Sequence, residues 1–252
     1  LLNNIQNEKD YPDYITIVPD GEPTLDINLG VLIDKLKSLK VPVAVITNAS
    51  LINLPEVQDD LLRADYVSVK ADSFSLKTWK KINLPHKRLD IHRIADGILA
   101  FREKFSGKMV TETMLVKGVN DTPEKLKNTA WFIESFAPDV AYLAVPTRPP
   151  AFKKVEPSNE ATVNTAYHIF REYIENVELL TGYEGNAFAS TGNFSDDLLS
   201  ITAVHPMRED AVLELLRKTG GDEQLLTALI EHKKVEKLQF NGHFYYLRKF
   251  SR

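Results

Sequence analysis

The chain of 252 residues carries 31 Lys and Arg against 35 Asp and Glu, a formal net charge of −4, with 43% hydrophobic and 26% charged residues. That balance describes one large domain, or one domain with a small appendage, able to bury a real core; the mild charge argues against indiscriminate nucleic-acid binding but not against a local basic patch. The sequence has no cysteine, which excludes disulfides and any thiolate-ligated zinc or iron–sulfur site within it, and it shows neither a run of about 18 apolar residues nor a signal-peptide pattern, so a cytoplasmic, membrane-free protein is expected.

The chain opens on Leu1 followed by the polar "NNIQNEKD", which reads as the remnant of a longer sequence. Short apolar runs at Tyr14–Val18, Val43–Ile46, Tyr66–Val69, Met109–Val116 and Val140–Val145 have the length and β-branched content of five buried strands. Between them, Leu29, Leu32, Ile33 and Leu36 recur at helical spacing, as do Ile91, Ile94, Ile98, Phe101 and Phe105; each set marks one buried helix face. Thr122-Pro123-Glu124 has the composition of a helix start: cap, first-turn proline and dipole-favoured acid. Ser158 is read as the cap of a further helix whose stripe includes Val163, Ala166, Tyr167 and Phe170. Strand–helix alternation predicts an α/β fold, a parallel sheet open or curled into a partial barrel over residues 1–195.

The last stretch, 196–252, changes character. Helices are predicted over Met207–Thr219 and Glu223–His232, followed by "VEKLQFNGHFYYLRKF", in which Asn241-Gly242 joins two alternating strands as a hairpin. Two helices and a hairpin are a winged-helix-like arrangement.

Ligands of parallel α/β folds sit at the carboxyl ends of the strands, and polar residues collect there. The first strand runs into Pro19-Asp20-Gly21-Glu22-Pro23, and the second ends in Thr47, Asn48 and Ser50. In "VSVKADS", Val67 and Val69 alternate with Ser68, Lys70 and Asp72, so the lysine and aspartate point away from the helix layer. Glu112 in the fourth strand avoids that layer too, and Thr147 and Arg148 follow the fifth. Together these groups form a polar mouth over an apolar sheet, the form of a small-molecule site. The bland readings are a turn for Asp20–Pro23, mutual neutralisation for Lys70 and Asp72, a structural carboxylate for Glu112 and a surface position for Arg148. The six histidines show no metal-ligand spacing, and none is assigned to a metal.

"IVPDGEPTL" resembles the Gly-Gly-Glu-Pro motif of radical S-adenosylmethionine (SAM) enzymes, with Asp20 at the first glycine position and Gly21, Glu22, Pro23, Thr24 and Leu25 matching. "ITNAS", "VSVKADS", "TETMLVKGVND", "PTRPP", "YEGNAF" and "SITAVHPMRED" follow in the order of iron–sulfur oxidoreductases related to the wyosine-forming tRNA enzymes, and the resemblance covers essentially the whole chain. It implies SAM binding by Asp20, Gly21, Glu22, Pro23, Asn48, Ser50, Lys70 and Asp72, with Glu112 and Arg148 toward the substrate and no catalytic residue assigned. Glu22 would receive the cofactor's ammonium group. The resemblance also implies a [4Fe–4S] cluster in a full-length parent, a reductant such as a flavodoxin or ferredoxin, and RNA as a candidate substrate. The departure is the missing Cys-x3-Cys-x2-Cys loop and the strand before it, so the chain as given is expected to be inactive. Two other readings stand beside this one: a non-catalytic module that binds a nucleotide-like ligand or nucleic acid, and a barrel lyase using Lys70 as an iminium-forming amine. The basic, aromatic hairpin, with Lys233, Lys234, Lys237, Phe244, Tyr245 and Tyr246, motivates the RNA expectation.

Overall fold

The computed structural model describes residues 12–18, 21–150, 152, 154–182, 188, 190–204, 206–240 and 242–249. Six parallel strands lie side by side in chain order: β1 (Ile15–Ile17), β2 (Val43–Thr47), β3 (Tyr66–Lys70), β4 (Lys108–Met114), β5 (Val140–Ala144) and β6 (Val177–Leu180). Between them run α1 (Leu29–Lys37), α2 (Pro55–Leu61), α3 (Leu76–Asn83), α4 (Ile91–Lys104), α5 (Pro123–Glu134) and α6 (Glu160–Arg171). When every strand pairs with its predecessor, right-handed crossovers put all connecting helices on one face. That is a partial barrel, not a doubly wound sheet. The sequence reading found five of the strands. β6 escaped it because only Val177 is buried and its other three residues are exposed, so no apolar run announces it.

Alternation along the strands sets the two faces. Val43, Val45, Val67, Val69 and Met109 are fully buried in one cluster with Ile33, Leu61 and Phe101 from the helices. Residues of opposite parity, among them Ile46, Lys70 and Glu112, face away from that layer. Carboxylates pin the strand starts: Asp65 Oδ2 accepts from Val43 N at 2.9 Å and Asp139 Oδ2 from Met109 N at 2.7 Å. The expected cap Ser158 is displaced by one residue. Asn159 accepts from Thr162 N at 2.9 Å, while Ser158 Oγ donates to Asp121 Oδ2 at 2.9 Å, because a loop carboxylate competes for its hydroxyl. One close approach fixes α4. A Cβ on Gly97 would lie 2.6 Å from both Cα and N of Asn53, main-chain atoms that cannot give way as a flexible side chain would.

The chain divides into two compact units, one running to Val145 and including Val155–Thr181, the other comprising Pro146–Lys154 and the residues from Gly182 onward. The expected boundary after 195 falls inside a helix, α7 (Phe194–Val204), because Phe194 and Leu198 are buried in the second unit's own core with Met207, Val212 and Tyr246. That unit continues with β7 (Met207–Arg208), α8 (Glu209–Thr219), α9 (Glu223–Glu231), β8 (Val235–Phe240) and β9 (His243–Arg248). Its antiparallel sheet has the order β7-β9-β8. Met207 and Arg208, expected to open a helix, instead pair with Tyr246 and Tyr245. Phe240 pairs with His243 and Gly242 has φ +79°, the left-handed state a two-residue hairpin connection needs; Asn241 lies outside the described residues. Among the described residues, no helix is long and apolar enough to cross a membrane.

Candidate functional site

The turn after β1 and the end of β2 are joined by one side chain. Pro19 and Asp20 lie outside the described residues, but Gly21 has φ +151° with open space where a Cβ would sit, so glycine is required by the backbone rather than by a close neighbour. Glu22 caps a short 3-10 helix, Pro23–Leu25. Its Oε1 accepts from Thr24 N at 3.2 Å, from Thr24 Oγ1 at 2.8 Å and from the Thr47 hydroxyl, while Oε2 accepts from Asn48 N at 2.7 Å. A carboxylate offers about four lone-pair sites, and protein donors hold most of them.

The β2 end is equally pre-ordered. Ala49 is fully buried at φ +59°, a left-handed state unusual for alanine. Its N–H donates to Thr47 Oγ1 and that of Ser50 to Asn48 Oδ1, both at 2.9 Å.

At the ends of β3 and β4, Lys70 pairs with Glu112 in strand register, and its Nζ lies 3.1 Å from Glu112 Oε1 and 3.9 Å from Asp72 Oδ1. Burial works against the Lys70 charge, but the two carboxylates outweigh it and its pKa is raised. The ammonium form is therefore the favoured one. The Asp72 side chain is sealed from solvent. It accepts from Met114 N at 2.8 Å and Asn83 Nδ2 at 2.9 Å, yet burial still pushes its pKa up, against the lowering effect of Lys70. Asn120, 1% exposed, donates to the carbonyls of Asp72 and Met114, tying the two strand ends together. Tyr142 on β5 is level with Glu112.

Asn48, Ser50, Lys70 and Asp72 line one cavity of about 240 Å³, backed by apolar side chains of α3, α4 and α5. Glu22 is bonded to Asn48 at its margin. Glu112 stands beside Lys70. Arg148 belongs to the second unit, where it acts on Tyr245 by charge. Sequence reading passed over Asn83, Asn120 and Tyr142; only the last, by its parity in "VAYLA", could have been found from alternation.

A family model described as the radical SAM superfamily matches residues 3–130. The chain belongs to the radical SAM superfamily. Its 249-residue alignment with the UPF0026 protein of Methanocaldococcus jannaschii is 39% identical and covers 98% of this chain and 77% of that protein. A UPF0026 protein of Helicobacter pylori strain J99 is 29% identical, covering 93% of this chain and 75% of the relative. Among solved structures, a radical SAM methyltransferase from Sphaerobacter thermophilus superposes with a TM-score of 0.60 at 14% identity, covering 73% of this chain and 55% of that one. Streptococcus suis SuiB bound to S-adenosylmethionine gives 0.52 at 18% identity, covering 68% and 39%. These superpositions establish the radical SAM fold.

The superfamily implies SAM and an iron–sulfur cluster, and the two fare differently against these residues. SAM carries a carboxylate, an ammonium and ribose hydroxyls, to which an ammonium, a carboxylate-clamped turn, an amide and a hydroxyl at the strand ends are chemically matched. The cluster finds no thiolate, since the sequence has no cysteine. Nor, among the described residues, do three or more His, Cys, Asp or Glu gather as a metal site.

In the second unit, Tyr245 and Tyr246 are 2% and 4% exposed. Tyr245 OH donates to Thr147 O at 3.0 Å, and Tyr246 packs into the helical core. Lys237 is bonded to Glu209 and lies 4.2 Å from the Phe244 ring centroid, and Lys249 stands 3.7 Å from Glu236.

Proposed function

We propose that this chain is the cofactor-holding core of a radical SAM enzyme, binding SAM at the carboxyl ends of β1–β4. What carries the reading is the convergence of Asn48, Ser50, Lys70 and Asp72 from two adjacent parallel strands on one cavity, the position where such sheets bind ligands. When bound and supplied with an electron from a cluster, the cofactor is a source of radical chemistry; these residues supply no cluster ligand, and the chain's own part is to orient the cofactor and exclude water. Lys70 receives the carboxylate or ribose oxygens, and Asn48 and Ser50 hydrogen-bond the sugar. Glu22 serves chiefly as a positioning residue, holding the β1 turn against Asn48 so that main-chain groups and its remaining lone pair meet the ammonium. Glu112 keeps Lys70 charged. The lyase reading weakens for the same reason, because iminium formation needs the free amine.

Calorimetric titration with SAM tests the assignment. Lys70→Ala should weaken binding by about tenfold or more, a lost charge-assisted bond being worth about 1.5–3 kcal/mol. Unchanged affinity in both Lys70→Ala and Glu22→Gln overturns it.

RNA contact through the second unit is the alternative partner reading. The burial of Tyr245 and Tyr246 and the pairing of Lys237 with Glu209 leave few stacking faces or free cations, and α9 carries Glu223 and Glu231 without a basic residue. A gel-shift titration of the whole chain with tRNA at two ionic strengths should show no salt-sensitive complex. A shift at low salt that disappears in Lys233→Glu/Lys234→Glu would reinstate RNA.

A further inference from the structure

A stretch of the first unit matches the hairpin in charge but not in pairing. Between Phe74 and Arg93 the sequence sets Lys77, Lys80, Lys81, Lys87, Arg88 and Arg93 against a single acid, Asp90, a net of +5 within a chain of −4. All six cations are exposed, and among the described residues none of their side chains makes an ion pair or a hydrogen bond. Asp90 is committed elsewhere. It caps α4, accepting from His92 N at 2.8 Å and Arg93 N at 3.3 Å, and of the six cations Arg93 alone acts on it by charge. In the hairpin, by contrast, Lys237 is bonded to Glu209 and Lys249 faces Glu236.

α3 gives the stretch its shape. Leu76, Lys77, Lys80 and Lys81 recur at the spacing of one helix face, and all four are exposed, Leu76 by 48%. Thr78 on the other side is buried, and Trp79 packs on the first unit's core. The helix ends on Leu84, at φ +44° and 58% exposed. Glycine or asparagine is the usual residue at a left-handed helix end. A leucine there costs backbone strain, and so exposed a side chain recovers little of it by burial. Retained strain at an exposed apolar residue points to a use outside the folded chain. The turn that follows is tight: Leu89 N donates to His86 O at 2.9 Å and Arg88 N to His86 Nδ1 at 3.3 Å, with Lys87 and Arg88 exposed on it.

A cationic face with exposed leucines at both ends of its helix suits an anionic amphiphile, whose headgroups attract the charge and whose acyl boundary takes the leucines. Nucleic acid fits less well. Bases need open aromatic faces, whereas Trp79 is packed inward and Phe74 stacks on Phe132 with ring centroids 3.5 Å apart. A stable protein partner covers about 20–30 residues, and Ser75–Arg93 exposes twelve. We propose that α3 and the turn after it form a docking face for an anionic lipid surface, the lysines and arginines supplying the attraction and Leu76 and Leu84 the insertion. No helix among the described residues is long and apolar enough to span a membrane, so the contact is peripheral. The inference stands apart from the cofactor reading and uses none of its residues.

Co-sedimentation of the whole chain with vesicles tests it. Vesicles of phosphatidylglycerol and phosphatidylcholine in equal parts should bind the protein about tenfold or more tighter than phosphatidylcholine alone, and salt at about 1 M, where screening is nearly complete, should remove the difference. Lys80→Glu/Lys81→Glu should abolish binding, while Lys233→Glu/Lys234→Glu, the same charge change in the second unit, should leave it within about twofold. Leu76→Ser/Leu84→Asn should weaken it about tenfold at unchanged charge. Asparagine tolerates the left-handed state, and circular dichroism checks that each variant is folded. No binding to the anionic vesicles overturns the proposal, as does equal binding to both vesicle types. So does a leucine variant that binds as the wild type does, the result expected of a plain polyanion site for nucleic acid or an acidic protein. Equal loss in the two charge-reversed variants overturns it too, because the face would then not be α3. Calorimetric titration with SAM reads the cofactor assignment separately, so either inference can fail alone.

Discussion

Glu22→Ala is expected to lower stability by about 3 kcal/mol and to weaken SAM binding with it, although the residue is only half-buried. The loss of stability does not come from the contact with the ligand's ammonium group. It comes from the donors left behind: Thr24 N, Thr24 Oγ1, the Thr47 hydroxyl and Asn48 N all point at one carboxylate, and Thr24 and Thr47 are 7% and 2% exposed. Water can rescue Asn48 but not the buried threonines, and each orphaned buried donor costs about 1–3 kcal/mol before the hydroxyls rotate to new partners. Glu22→Gln separates clamp from charge. The amide can keep its oxygen toward the threonines only by setting its NH2 against Asn48 N–H, so it should lose about 1–2 kcal/mol, less than alanine. Urea denaturation with an unchanged slope reads both variants. A Glu22→Ala protein as stable as the wild type would show that the four donors find other partners.

How much of this was legible beforehand depends on whether a feature is local. The parallel alternation, the face assignment of Lys70 and Glu112 and the strand-end position of Glu22 follow from periodicity and turn chemistry, which are properties of short segments. The sixth strand is not, since Glu178, Leu179 and Leu180 are exposed and Val177 pairs with Ala141 without any apolar run of its own. The helix cap passed from Ser158 to Asn159 because Asp121, 37 residues away in sequence, takes the serine hydroxyl. Asn83 and Asn120 look like ordinary helix-end and turn asparagines in sequence, and acquire their roles only when folding sets them against Asp72. The hairpin shows a pattern that sequence alone reads incompletely. Its alternating aromatics and lysines are the pattern of a nucleic-acid surface, yet Tyr245 and Tyr246 are claimed by packing and Lys237 by Glu209. Composition cannot distinguish a cation that faces solvent from one already paired.

Asp72 should give the widest separation between two substitutions at one position. Asp72→Ala is expected to cost about 3–5 kcal/mol, since it removes one partner of a buried charge pair and leaves two part-buried donors, Met114 N and Asn83 Nδ2, without their acceptor. Asp72→Asn keeps an acceptor for Met114 N and restores the contact with Asn83 by turning its amide over, so it should cost about 1 kcal/mol or less. The two also differ in their response to pH. Burial raises the Asp72 pKa above its ordinary 3.8 despite the opposing pull of Lys70, so between that value and the raised one the folded protein binds more protons at this site than the unfolded chain. Stability from this group is then greatest below about pH 4 and falls as pH rises through the window. Removing the titration in Asp72→Asn should make the variant gain on the wild type between pH 4 and pH 7. Lys70 does not confuse the comparison, because its raised pKa lies above the ordinary 10.5 and its contribution is lost only in strong base. Urea midpoints of wild type and Asp72→Asn at the two pH values decide it. If the wild type gains on the variant instead, the attraction of Lys70 outweighs the burial of Asp72, and the pair is a stabilising ion pair rather than a buried carboxylate held by its hydrogen bonds from Met114 and Asn83.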